Sequence, residues 1–164
     1  MFQIGLLPYS FLYPFPVISK TAITGATNRT LALTYTMTTN YTFTKAAVFH
    51  PSPGSDFNRV AIYRGDLTNG VLVGQTLNTA PAYDYNVKTL TATNNGSLTF
   101  TLGQQIVLVW TQNGSGTNIA TTTGISNIAV AFLTGTGYSP TLPTTMAGFA
   151  SPSATTIRMC IDLS

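Results

Sequence analysis

From about residue 21 onward, apolar residues recur at every second position, a period that builds strands and cannot hold an amphipathic helix on one face. In RTLALTYTMT (29–38), Leu31, Leu33, Tyr35 and Met37 fall on one face, and Thr30, Ala32, Thr34 and Thr36 on the other. SLTFTL (97–102) repeats the pattern with Leu98, Phe100 and Leu102. SNIAVAFL (126–133) groups Ile128, Val130 and Phe132. TTIRMCIDL (155–163) turns Ile157, Met159, Ile161 and Leu163 inward, with Arg158, Cys160 and Asp162 outside. QIVLVWTQ (105–112) is different: Ile106, Leu108 and Trp110 occupy one face, Val107 and Val109 the other. Both faces are apolar, which predicts a central strand covered from both sides.

Turn signals separate these runs: Asn69-Gly70, Asn95-Gly96, Asn113-Gly114, Gly135 to Gly137 and Pro140. No stretch keeps a 3.6-residue period. The spacing predicts an all-β chain of about eight to ten antiparallel strands in one domain over residues 21–164. That strand number, with long connections expected near 77–87 and 134–153, favours a β-sandwich of jelly-roll type over a seven-stranded immunoglobulin-type sandwich.

Residues 1–20 form a separate unit. MFQIGLLPYSFLYPFPVISK has no charge before Lys20, and Pro8, Pro14 and Pro16 forbid a continuous helix. It also lacks the positive n-region of a signal peptide, and the prolines break it as a membrane-spanning helix. Proline pushes the residue before it into β or polyproline geometry, so the segment is expected to run extended. Phe2, Leu6, Leu7, Tyr9, Phe11, Tyr13 and Phe15 need a surface to cover, each aromatic gaining about 1.5–3 kcal/mol on burial. The surface is the chain's own domain or a neighbouring subunit, with membrane contact the lesser option.

Charged residues are 7% of the chain, where about a quarter is usual. Glu is absent, and the acids are Asp56, Asp66, Asp84 and Asp162. The net charge of +3 comes from bases that are never adjacent, so no run tracks a phosphate backbone and no nucleic-acid partner is expected. Polarity comes from Thr, Asn, Ser and Gln, and Thr suits a pleated surface. Such a surface fits a protein built into an assembly, or an extracellular β-domain.

Catalysis calls for paired acids, or a nucleophile beside a base. His50 is the single His and precedes a Pro/Gly/Ser loop, where a structural role is the plainer reading. No G-x-S-x-G elbow occurs, and no ligand cluster supports a metal. Cys160, the one Cys, sits in a strand rather than at a helix start and cannot form an internal disulfide. No enzyme activity, catalytic residue, cofactor or metal is expected. The sequons at Asn28, Asn40, Asn95 and Asn113 are what chance gives in so Thr-rich a chain.

Two ligand readings remain. Tyr83, Tyr85 and Tyr138 fall in expected loops, where exposed rings can stack on sugars, though rings there also cover sandwich ends. Arg64-Gly65-Asp66 is a tripeptide that cell-surface receptors can read. Gly65 and Asn69-Gly70 account for it as the turn of a hairpin between VAIYR and VLVG, and the hairpin is the expectation.

The Thr/Asn-rich alternation, the missing Glu, the lack of catalytic groups and the proline-bearing apolar arm resemble small single-jelly-roll structural proteins of viruses and phages. These are capsid, penton or minor capsid components, whose arms tie neighbours together. The resemblance spans the whole chain as a general pattern and transfers no functional residue. It implies a virion location and partners that are copies of this chain or other capsid proteins. RVAIYRG with LVGQT is also similar to β-sandwich modules of extracellular and tail-fibre proteins. That similarity implies the alternative, an extracellular adhesive module with a sugar ligand.

Overall fold

The computed structural model describes residues 21–22, 30–50, 57–80, 84–93, 95–112, 120–123, 130–132, 142–146, 157–159 and 161–163. Every regular element among them is a strand, and every pairing is antiparallel. The all-β expectation holds. The arm, residues 1–20, lies outside the described residues.

The largest sheet is organised around β9 (Gln105–Gln112). On one side β9 pairs with β2 (Thr30–Thr36), on the other with β5 (Asn58–Arg64). The register aligns Leu31, Trp110 and Val60 across the three strands, then Leu33, Leu108 and Ile62. The intervening rows, Ala32–Val109–Ala61 and Thr34–Val107–Tyr63, face the opposite way. A slip of one residue would exchange the two sets, so the apolar pattern itself pins the register.

Beyond β5 come β6 (Val71–Thr76), β7 (Asp84–Ala92) and β4 (Lys45–His50). The sheet's outer strands are β11 (Val130–Phe132), beside β2, and β13 (Ile161–Leu163), beside β4. The spatial order β5, β6, β7, β4 is a Greek key: three strands follow one another, and the strand preceding them in the chain returns beside the last. β7 serves two partners, with Asp84–Thr89 opposite β4 and Leu90–Ala92 opposite β6.

Both faces of β9 are covered. On one, Trp110, Leu108 and Ile106 join Val60, Ile62, Val73 and Leu90. Over them lie Phe43 and Phe100, next to the small sheet of β3 (Tyr41–Thr42) and β8 (Thr99–Phe100). The Phe43 and Phe100 rings meet in tilted contact with centroids 5.6 Å apart, a geometry aromatic pairs favour. On the other face, Val107, Val109, Ala61, Tyr63 and Leu72 meet Met146. Residues 142–146 reach that face by backbone bonds from Leu72 N to Thr144 O and from Met146 N to Gly70 O. The Tyr63 hydroxyl donates to the Pro143 carbonyl at 2.9 Å.

A third sheet joins β1 (Thr21–Ala22), β10 (Ala120–Thr123) and β12 (Ile157–Met159). This corrects the reading of TTIRMCIDL as one strand. β12 and β13 pair with different partners, β10 and β4, on either side of Cys160. SLTFTL is corrected too: only Thr99–Phe100 are strand, and Leu102 is 69% exposed in the turn before β9. Leu102 N donates to Asn40 Oδ1, and the Gly103 and Met37 backbones join, which fixes the turn and leaves the leucine outside. The expected connection over 77–87 is shorter, because β7 begins at Asp84.

Leu108 and Leu102 therefore separate by environment despite equal chemistry. Leu108→Ala is expected to cost about 2–5 kcal/mol, as cavity-forming core substitutions do. Leu102→Ala should stay within about 0.5 kcal/mol of the parent. Chemical denaturation of the two variants checks this, and similar losses for both would contradict the packing described.

Candidate functional site

The β5–β6 hairpin carries the Arg64-Gly65-Asp66 tripeptide, and its geometry can be followed atom by atom. β5 ends at Arg64, where Gly65 takes a φ of 114°, a left-handed value that a side chain would resist. A Cβ on Gly65 would also press on Asn69 Oδ1 at 2.9 Å and Gly70 Cα at 3.0 Å. Asp66 Oδ1 accepts from the backbone N–H of Thr68 at 2.8 Å and of Asn69 at 3.0 Å, while Oδ2 accepts from Asn69 Nδ2 at 3.2 Å. This Asx turn closes the loop from within. The two backbone donors hold the Asp66 carboxyl below its ordinary range.

Arg64 is turned back onto its own domain. Its Nη2 donates to the Ser97 and Thr99 carbonyls at 2.9 and 2.8 Å, and the guanidinium lies 4.8 Å from the centre of the Phe100 ring. A cation over an aromatic face adds to the two charge-assisted bonds. The arginine fastens the hairpin to β8 and the acid shapes the turn. The hairpin reading stands, and a receptor reading the tripeptide would have to displace both side chains from partners they already hold.

Tyr83 and Tyr138, from the candidate sugar loop, lie outside the described residues. Tyr85 is placed in β7, opposite Phe49 of β4, so the expectation that it sits in a loop is corrected at the backbone level. The arm positions Phe2, Leu6, Leu7, Tyr9, Phe11, Tyr13 and Phe15 also lie outside the described residues. His50 closes β4 directly opposite Asp84 of β7. Among the described residues no group of three or more His, Cys, Asp or Glu side chains is placed to hold a metal. No helix among them is long and apolar enough to cross a membrane.

A second polar feature went unnoticed in the sequence. Lys88, on β7, is 8% exposed, and its ammonium donates to Asn58 O at 2.6 Å, Asn58 Oδ1 at 2.7 Å and Thr79 O at 3.2 Å. Burial pushes its pKa down to about 8. Asn58 is itself fully buried and exchanges two backbone bonds with Thr79. The flanking sequence YNVKTL reads as ordinary alternation with Lys88 facing either way; only the return of residues 77–80 beside Asn58 decides that it points inward.

Comparison with known proteins adds no relative: no protein-family model matches the chain, and no curated protein matches it.

Two outcomes follow for the hairpin. Asp66→Ala is expected to lower the melting temperature while leaving cell adhesion to the protein unchanged; loss of integrin-dependent adhesion would restore the receptor reading. The pH dependence has a fixed sign. Because the folded carboxyl titrates below the ordinary 3.8, its contribution is complete above that pH and is lost as the pH falls through the folded value. Asp66→Asn should therefore flatten the acid limb of the melting profile.

Proposed function

We propose that this chain is a non-enzymatic structural protein of a viral or phage particle, a capsid, penton or minor capsid component that assembles through its β-domain and its N-terminal arm. In this reading the Greek key belongs to a jelly-roll sandwich. The motif supports that, since most β-sandwiches contain one.

The observation that carries the reading is the neutrality of the surface. Among the residues whose side chains are described, Lys45 alone is a fully exposed charge; Arg59 and Lys88 are buried, and Arg64 and Asp66 are committed to the hairpin. Thr fills many of the exposed strand positions instead, at Thr36, Thr42, Thr89, Thr91 and Thr99, beside apolar Val71 and Val87. A lone soluble domain keeps itself apart from its copies with interspersed charge. A Thr-faced surface can pack against another copy without stripping water from ions, whose desolvation often exceeds what pairing returns. The apolar arm fits the same use, because an extended segment laid along a neighbour gives both its backbone and its aromatics partners.

The test is sedimentation of the full-length protein and of a form starting at Thr21, at matched concentration. The described core is drawn from residues 32 to 146, so the truncated form is expected to fold. It should sediment as a monomer while the full chain forms larger species. Identical distributions would remove the assembly role of the arm. Specific glycan binding by a non-assembling monomer would favour an adhesive module instead.

A further inference from the structure

The strands β7 and β5 are not neighbours in the sheet, because β6 runs between them. Lys88 nevertheless crosses from β7 to the first residue of β5, and its Nζ lies 2.7 Å from the amide oxygen of Asn58. That hydrogen bond holds the amine at the oxygen of the amide whose carbon it would attack, so a short shift of Nζ from Oδ1 toward Cγ is what the addition requires. The two side chains are buried, so water does not compete for the carbonyl. Asn58 is held in place by its paired backbone bonds to Thr79. Its amide nitrogen, Nδ2, is buried with no hydrogen-bond partner, an unfavourable state that lasts as long as the group remains.

We propose that Lys88 and Asn58 join as an isopeptide, an intrachain covalent staple between β7 and the start of β5. The neutral Nζ adds to Asn58 Cγ, forming a C–N bond and a tetrahedral centre. The Cγ–Nδ2 bond then breaks. One Nζ proton passes to Nδ2, which departs as ammonia, and the carbonyl re-forms. Atoms balance with no oxidant, reductant or further reactant: amine plus primary amide gives secondary amide plus ammonia. The unpartnered Nδ2 is the leaving group, so the reaction removes the buried donor that the folded chain fails to satisfy.

The surroundings favour the step. Burial brings the lysine to about 8, so a large share of the amine is neutral in mildly alkaline solution. Groups held face to face react as though one were present at about 10⁵ M or more. The bond would also supply a cross-link to a chain whose single Cys160 cannot make one internally.

The experiment is intact-mass measurement and peptide mapping of the full-length protein, fresh and after storage at about pH 9, where most of an amine of pKa near 8 is neutral. The expected result is a mass lower than the sequence mass by one ammonia, with a branched peptide joining the segments that carry Asn58 and Lys88. Lys88→Met and Asn58→Ala should keep their full masses. An unchanged mass, or a loss of ammonia with no branched peptide (as a succinimide at an Asn-Gly pair would give), overturns the proposal. The pH dependence of stability, compared between the parent protein and Lys88→Met, supplies a second reading. A free Lys88 binds its proton more weakly folded than unfolded, so stability would rise between about pH 8 and the ordinary 10.5. The joined chain should lack this lysine-dependent rise, and observing it in the parent but not in Lys88→Met also overturns the proposal.

Discussion

The double burial of β9 is the constraint on which the rest of the structure depends. A strand with apolar side chains on both faces cannot sit at a solvent boundary, so something must be found to cover each side. On the Trp110 face the cover is aromatic, Phe43 and Phe100 beside the β3–β8 pair. On the Val109 face it is Met146, carried by a segment whose own backbone bonds run to Leu72 and Gly70. The hairpin is drawn into the same arrangement. Tyr63 packs on one face and Arg64 reaches over Phe100 on the other, so neighbouring residues of β5 fasten opposite layers.

Much of this was legible beforehand, and the reason is specific. A period of two states which residues share a face, so Tyr35 and Met37 on one side and Ala32 on the other are found where the alternation puts them. The same period says nothing about which strand lies alongside. That is why TTIRMCIDL reads as one strand and is in fact two with separate partners. It is also why Leu102 reads as inward-facing, although a turn closed by Asn40 carries it outside. Tyr85 falls within the long connection expected near 77–87, whereas pairing with β4 continues the strand down to Asp84.

The polar interior was harder to foresee. Lys88 and Arg59 would be assigned to solvent on residue type alone, yet both are buried. Arg59 Nη1 donates to Gln75 on β6, and Lys88 finds three oxygens, two of them backbone carbonyls. Backbone carbonyls are invisible to a reading based on side-chain types. The turn at Arg64-Gly65-Asp66 was accessible for the opposite reason: Asp66 makes its side-chain bonds with Thr68 and Asn69 inside the loop, although Gly65 and Gly70 are also tied to Gln105 and Met146.

The pairing of β2 with β9 has a consequence in time as well as in space. Thr30 lies opposite Thr111, and between them the chain makes the whole β5–β6–β7 succession. While the chain is emerging from a ribosome, β2 is therefore exposed long before its partner exists. The local β5–β6 hairpin can close early, but its apolar faces gain their central neighbour only once residue 112 is free. Contacts this distant in sequence make folding slow and leave strand edges open meanwhile. The Thr that alternates along β2 keeps half of that waiting strand polar throughout the delay.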